Sequence, residues 1–316
     1  MKEKITIVVP CYNEQEALPY FYPEFVKVAT LMSEQDFELL LVDDGSKDGT
    51  LAYIKQLANS DNRVKYISFS RNFGKESAIY AGLKNASGDY VTLMDADLQD
   101  PPSLLPEMFK AIKEEGYDSV ATRRVTRKGE PKIRSFFARK FYKIMNKISD
   151  AELVDGARDY RLMTRKVVNA VLSMSEYNRF TKGIFGWVGF KTKWLEYENI
   201  ERVSGETKWS FFKLLKYAIS GIIAFSNAPL KIATGFGIFL TATSVMGAIA
   251  ALIVDLCNVT INPLIYLGAG VAFIGGVIML FLGILGEYMA KIHLEVKNRP
   301  VYICADTNIN NQKNSN

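Results

Sequence analysis

The sequence predicts an α/β fold: a mostly parallel sheet with helices on both faces, continued by interfacial amphipathic helices and two transmembrane helices. Three observations predict it. Residues 1 to about 200 alternate short apolar runs with segments of helical spacing. The polar and acidic motifs of that region fall at the ends of the apolar runs. Residues 232–286 then carry a single charge, Asp255, in 55 residues.

Taken in order, Ile5 to Val9 is a short apolar run closed by Pro10, which reads as a buried strand. Glu14 to Met32 has helical spacing. Phe37 to Val42 is a second strand and runs into DDGSKDGT. Thr50 to Ala58 reads as a helix, Val64 to Ser68 as a third strand, and Lys75 to Asn85 as a helix before the turn Ser87-Gly88. Tyr90 to Met94 is a fourth strand and ends in Asp95-Ala96-Asp97. Sheets of this kind bind ligands at the carboxyl ends of their strands. Cys11-Tyr12-Asn13-Glu14, Asp43-Asp44 and Asp95-Ala96-Asp97 all fall there, so three polar clusters share one edge.

The membrane part follows. Ile232 to Val254 is an uncharged run of 23 residues and Ile261 to Gly286 one of 26. About 20 apolar residues cross a bilayer core as a helix. The alternative is a pair of buried helices in a large soluble core, which rarely extend so far without a charge. The link from Asp255 to Asn262 lacks Lys and Arg, whereas Lys213, Lys216 and Lys231 flank one side and Lys291, Lys297 and Arg299 the other. The positive-inside rule places both termini in the cytoplasm. The chain opens on a strand pattern and is read as carrying no signal peptide. Between Trp209 and Phe225, lysines interleave with Phe211, Phe212, Leu214 and Leu215, as in a helix lying in the interface. The expected organisation is a soluble domain over 1–208, an interfacial helix over 209–228, a membrane hairpin over 229–290 and a polar tail over 291–316. The tail from Asp306 onward reads as disordered.

The chain averages conceal this division. There are 39 Lys+Arg against 34 Asp+Glu, a net charge of +5, with 48% hydrophobic residues and a mean hydropathy of +0.02. These values exclude a disordered, collagen-like or mucin-like chain. Three cysteines are no disulfide framework and point to a reducing compartment. Cys11 lies in a polar motif without any sign of a thiolate nucleophile. The one histidine, His293, falls just past the second apolar run, which argues against a His-rich metal site or a Ser-His-Asp hydrolase. Neither GxGxxG nor GxxxxGK[ST] occurs, so the usual hydride and P-loop sites have no support.

Two carboxylates two residues apart at a strand end, as in Asp95 and Asp97, can hold Mg²⁺ or Mn²⁺ and leave coordination positions for a diphosphate. A metal there neutralises charge as a diphosphate leaves. From Arg123 to Lys147, ten basic residues face one acid, Glu130. Within that segment Arg134, Arg139 and Lys140 interleave with Phe136, Phe137, Phe141 and Ile144, the pattern of a basic amphipathic helix drawn to anionic lipid. A solvated basic face and a nucleic-acid patch are the alternatives; two apolar runs downstream favour the membrane, so no nucleic acid is expected.

VVPCYNEQEAL, LLVDDGSKDGT, SRNFGKESAIYAGLKNASGDY, LMDADLQDPP and DGARDYRLMTRK resemble the successive motifs of family 2 glycosyltransferases. The match is nearest to the polyprenyl-phosphate sugar transferases, the dolichyl-phosphate mannose synthases and bactoprenol glucosyltransferases. The resemblance covers about residues 4 to 215, and the two apolar runs match the bactoprenol branch. It implies a GT-A fold and inverting transfer from a nucleotide sugar, UDP-glucose first, to undecaprenyl phosphate. UDP-N-acetylglucosamine and GDP-mannose are the other donors considered. By the same resemblance, Pro10, Tyr12, Asn13 and Glu14 line the nucleoside, with Asp43 or Asp44 also touching it. Asp95 and Asp97 hold metal and diphosphate, Gln99 lies near the sugar, and Asp159 stands beside the acceptor. Arg158 replaces the glycine that the family often has before that aspartate. Arg202 and Lys208 are candidate phosphate partners, and Arg123, Arg134, Arg139 and Lys140 candidate lipid-phosphate partners. A homo-oligomer, a tetramer by analogy, is expected. A processive synthase would need a QxxRW motif, which is absent, and a non-catalytic scaffold would have lost the carboxylates.

Overall fold

Eight strands form one sheet in the order β7-β5-β6-β4-β1-β2-β3-β8. The computed structural model describes residues 2–125, 154, 156–174, 176–198, 228–256 and 263–309. At the centre, β1 (Lys4–Cys11) pairs in parallel with β2 (Asp36–Asp43) and β4 (Tyr90–Leu93), and β2 with β3 (Val64–Phe69). Ile5, Ile7, Val8 and Val9 are buried because both faces are covered. Helices α1 (Leu18–Leu31), α2 (Thr50–Ser60) and, further along the chain, α4 (Leu105–Glu115) cover one face; α3 (Lys75–Asn85) lies on the other. Gly82 of α3 sits so close to β1 that a Cβ would collide with Val8.

Beyond β4 the chain departs from simple alternation. Strand β5 (Ser119–Arg124) is separated from β4 by β6 (Ala157–Thr164), which runs antiparallel to both neighbours. Helices α5 (Arg165–Ser173) and α6 (Thr181–Trp187) pack on the α3 face, and β7 (Thr192–Tyr197) joins β5 in parallel. The expected mostly parallel sheet with helices on both faces is therefore present. Strand β6 brings Asp159 beside the end of β4.

Residues Ala228–Leu256 form α7 and Pro263–Val296 form α8. The first expected apolar run, and the second from Pro263 onward, are helical. Among the described residues one stretch, Phe273–Val296, is long and apolar enough to cross a membrane, and Pro229–Leu240 is a shorter apolar stretch. The last turns of α8 meet the soluble part: Lys291 Nζ donates to Asn178 Oδ1 at 2.8 Å, and Glu295 accepts from the Tyr177 amide at 2.9 Å.

The tail corrects the sequence reading. Cys304–Thr307 is β8, antiparallel to β3 at the edge of the sheet. Asn308 reads the same edge through its side chain, accepting from Tyr66 N at 2.8 Å and donating to Val64 O at 3.1 Å. Tyr302 stacks on Phe69 at 4.8 Å. A polar composition signals disorder only when nothing satisfies its backbone; an open strand edge supplies those partners. Residues 209–227 of the interfacial helix expected over 209–228, and Arg134, Arg139, Lys140, Arg202 and Lys208, lie outside the described residues.

Candidate active site

The loops after β1 and β2 are fastened to each other. Asn13 has φ 54°; its amide donates to Ser46 Oγ and its Oδ1 accepts from the Lys47 amide, both at 2.9 Å. The Glu14 amide donates to Thr50 Oγ1 at 2.9 Å. Gly45, at φ 66°, passes so close to the Arg71 backbone that any side chain would collide with it. Pro10, Tyr12, Asn13 and Glu14 are thus held together at one strand end, all of them half-buried. Cys11 is buried, and burial pushes its thiol well above the ordinary value, as befits a core group.

Asp43 and Asp44 are both buried and are used by the chain itself. Asp43 accepts from the Ser46 amide at 3.1 Å and from Ser68 Oγ at 2.9 Å. Asp44 accepts from the amides of Phe73 at 2.6 Å and Gly74 at 2.9 Å, the residues that lead into α3. Gly74 takes φ 100°, a conformation few side chains tolerate. Asp44 therefore sets the position from which Lys75, the first residue of α3, reaches the sheet.

Lys75 is the residue that unites the site. Its Nζ lies 2.7 Å from Asp95 Oδ1 and 2.6 Å from Asp159 Oδ2. Burial would raise the Asp159 carboxyl, but Lys75 and then Lys182 outweigh it and hold the group well below the usual carboxylate range. Partial burial likewise opposes the Lys75 charge, although the side chain keeps a solvent-exposed portion, and the two carboxylates outweigh it, so its pKa is raised. After Asp95 the chain reverses: the Gln99 amide donates to Asp97 Oδ1 at 3.1 Å, and Leu98 takes φ 55°. A branched apolar residue in that region costs on the order of 1–3 kcal/mol and persists only where neighbours enforce it.

Arg158 is part of what enforces it. Its Nε donates to Asp100 Oδ1 at 2.9 Å, and the Asp100 side chain is fully buried. The Tyr197 hydroxyl donates to the same oxygen. The position where the family often has glycine here anchors the loop that carries Asp95, Asp97 and Gln99. At the other end of β6, Arg165 donates to the carbonyls of Ala86 and Gly88 and ties the strand to the turn before β4.

The structure thus brings Asp95 and Asp159 onto one ammonium, with Asp97 and Gln99 in the adjoining turn. Arg123, at the end of β5, pairs with Glu196 of β7. Among the described residues no three His, Cys, Asp or Glu side chains cluster as a ready-made metal cage. Sequence reasoning overlooked Lys75, although it stands inside the FGKES motif. It also overlooked Lys182, which no motif marks; its Nζ donates to Ala157 O at 2.9 Å.

Comparison with known proteins places this geometry. The family model described as "Glycosyl transferase family 2" matches residues 6–172. The chain belongs to this family. It is therefore a glycosyltransferase with a GT-A-like α/β fold. The family 2 match spans β1 to α5, and so includes Lys75, Asp95 and Asp159. Relatives extend over nearly the whole chain. CsbB of Bacillus subtilis, described as a glycosyltransferase, is 44% identical over 98% of this chain and 93% of its own. A prophage-derived bactoprenol glucosyl transferase of Shigella flexneri is 41% identical over 95% of this chain and 97% of its own. Among solved structures, a mannosyl-3-phosphoglycerate synthase from Rubrobacter xylanophilus overlays with a TM-score of 0.49 at 17% identity, covering 70% of this chain and 72% of that one.

Proposed function

We propose that this glycosyltransferase moves glucose from UDP-glucose to undecaprenyl phosphate at the cytoplasmic face of a bacterial inner membrane, with inversion at the anomeric carbon. The observation that carries the reading is the single ammonium of Lys75 shared by Asp95 and Asp159. It puts a carboxylate from the donor motif and one from the acceptor motif at the same sheet edge. The relative named as a bactoprenol glucosyl transferase supports the choice of sugar and lipid.

Pro10, Tyr12, Asn13 and Glu14 take the nucleoside, with Asp43 and Asp44 bracing the loops around it. Asp95, Asp97 and Asp159 are matched only by Lys75, Lys182 and Arg161, so the edge has no positive charge to spare. A nucleoside diphosphate adds negative charge, so the site needs a cation. Asp95 and Asp97 offer hard oxygen donors, suited to Mg²⁺ or Mn²⁺ completed by diphosphate oxygens. Such an ion supplies charge neutralisation for the leaving UDP. Arg202 and Lys208 are assigned to the same diphosphate, and Arg123, Arg134, Arg139 and Lys140 to the lipid phosphate.

The bond that forms joins the acceptor phosphate oxygen to the anomeric carbon; the bond that breaks releases UDP. A phosphate monoester has a second pKa of about 6, so its oxygen arrives ionised near neutral pH. Asp159, held far below the usual range by Lys75 and Lys182, is a poor proton acceptor and a good fixed charge. It orients rather than deprotonates. Two membrane spans with both termini inside, and a homo-oligomer, complete the proposal.

The test is incubation of the purified chain with Mg²⁺, undecaprenyl phosphate and separate labelled nucleotide sugars, followed by counting of lipid-extractable label. Label from UDP-glucose in a β-linked product is expected. Label only from UDP-N-acetylglucosamine or GDP-mannose would replace the donor, and an α-linked product would remove the inversion.

A further inference from the structure

A cavity of about 230 Å³ is lined by β6 residues on either side of Asp159 (Ala157, Arg158 and Arg161), by α6 and by β7, and by none of the residues of the nucleotide motifs. Val154, Ala157, Arg161, Lys182, Phe185 and Trp194 are among its walls. The nucleotide motifs sit at β1, β2 and β4, whereas this space spreads over β6 toward β7 under α6. It therefore adjoins Asp159 without overlapping the donor end of the sheet.

Arg161 is the unusual feature. It is 6% exposed, and its Nε is buried without a hydrogen-bond partner. Among the described residues nothing accepts a hydrogen bond from its guanidinium. Its neighbours are rings: Phe185 at 4.2 Å and Trp194 at 5.5 Å from the guanidinium carbon. Cation–π contact stabilises such a charge but leaves its five donors unused. A buried, unpaired guanidinium is costly, and a fold that retains one has a use for it. Burial pulls its pKa down to about 10, partly offset by Asp159, so it stays charged at neutral pH. Lys182, on the same wall, adds a second cation.

Three aromatic rings, Phe185, Phe190 and Trp194, and two cations besides Arg158, which is already paired with Asp100, suit an anion that carries a hydrocarbon. We propose that the lipid phosphate, once drawn to this edge by the basic residues assigned to it above, is seated in this cavity on Arg161 and Lys182, with its first isoprenoid unit against Phe185 and Trp194. Small-molecule pockets run to roughly 300–1,000 Å³, so this one takes the head of a polyprenyl phosphate and not its length. The inference rests on the proposed transfer reaction and names its acceptor subsite. The guanidinium fork also provides paired donors for a phosphate.

The test measures binding apart from turnover. Farnesyl phosphate, farnesol and inorganic phosphate are titrated into the full chain in detergent and followed by tryptophan fluorescence; Trp194→Phe identifies the reporting ring. Farnesyl phosphate is expected to bind at least tenfold more tightly than either of the others. Arg161→Lys and Lys182→Met should each weaken it by about tenfold, and the UDP-glucose affinity of Arg161→Lys, which keeps its charge, should move less than twofold. Arg161→Lys keeps the buried charge, and its thermal midpoint is recorded; Lys182→Met stands as the independent variant should Arg161→Lys not fold. Unchanged farnesyl phosphate affinity in the folded variants overturns the subsite. Equal binding of inorganic phosphate overturns its hydrocarbon half. A loss confined to UDP-glucose reassigns the cavity to the donor and overturns it as well. Wild-type binding with the expected losses, but no sugar transfer to any polyprenyl phosphate, supports the subsite and defeats the proposed reaction.

Discussion

Replacing Arg158 by methionine should unfasten the loop that carries Asp95 and Asp97. Its partner Asp100 has a side chain with no exposure at all, and Arg158 itself is 16% exposed in its side chain. Water cannot take over as the counter-charge. Asp100 would keep only the Tyr197 hydroxyl on Oδ1, and its Oδ2 is already buried without a partner among the described residues. Breaking a buried pair from one side costs about 3–5 kcal/mol because an uncompensated charge stays behind. At roughly 2–4 °C per kcal/mol for a domain of this size, the thermal midpoint should fall by about 6–20 °C. Tryptophan fluorescence of the full chain in detergent, at one fixed scan rate, reads the shift. Arg158→Met with Asp100→Asn removes both charges together and should recover most of the loss. A single variant within about 2 °C of the parent, judged against the same scale, would refute the reasoning. So would a double variant no more stable than the single one.

Three further outcomes follow, two at the same site and one at the opposite end of the sheet. Lys75→Met removes the ammonium that Asp95 and Asp159 share; sugar transfer should fall by roughly 10²–10³ in kcat, the scale seen when one preorganised electrostatic contact is removed, with nucleoside affinity measured separately by UDP titration and little altered. Asp159→Asn should lower kcat yet leave the shape of the pH–rate profile from pH 6 to 9 as it was, since the carboxylate's depressed pKa keeps it ionised across that range; a new dependence rising with pH would restore a general-base role. Glu38 accepts from Thr6 Oγ1 at 2.8 Å and from Ser87 Oγ at 2.7 Å. Burial alone would raise its carboxyl, but the Ser87 and Thr6 bonds and Lys4 bring the pKa below the ordinary value. Its contribution is therefore present above the unfolded value of about 4.3 and is lost as pH falls through the lower folded one. Glu38→Gln should cost about 1–3 kcal/mol at pH 7, with the difference from the parent shrinking in acid denaturation.

The first four strands were legible because each is an apolar run buried on both faces and bounded by a polar turn. Ile5 to Val9 and Phe37 to Val42 leave little other reading. The polar and acidic motifs were legible for a related reason: they close those strands. What lies beyond residue 100 was less so. Strand β6 carries Arg158, Asp159 and Arg161, charges that read as a surface segment and not as a central strand. Each is acceptable only because of a partner distant in sequence: Asp100 for Arg158, Lys75 for Asp159, and the rings of Phe185 and Trp194 for Arg161. Periodicity cannot register such partners, since it weighs each residue by its own polarity.

The same limit explains the misread tail and the missed lysine, which err in opposite directions. Asp306 to Ile309 is ordered by an edge that the local composition does not reveal. Lys75 was passed over because a lysine opening a helix is commonly a solvated charge. Its side chain is indeed 41% exposed. Exposure is thus a poor guide to its role; position is a better one. Asp44 fixes the Phe73 and Gly74 amides, Gly74 permits the turn, and the ammonium is delivered where β4 and β6 end together. Removing the brace should then resemble removing the lysine. If Asp44→Asn, which still accepts hydrogen bonds, keeps kcat while Asp44→Ala loses it as Lys75→Met does, the nucleoside motif positions the ammonium that joins donor and acceptor. If Asp44→Ala raises only the KM for the nucleotide sugar, Asp44 acts on the nucleoside alone and the connection fails.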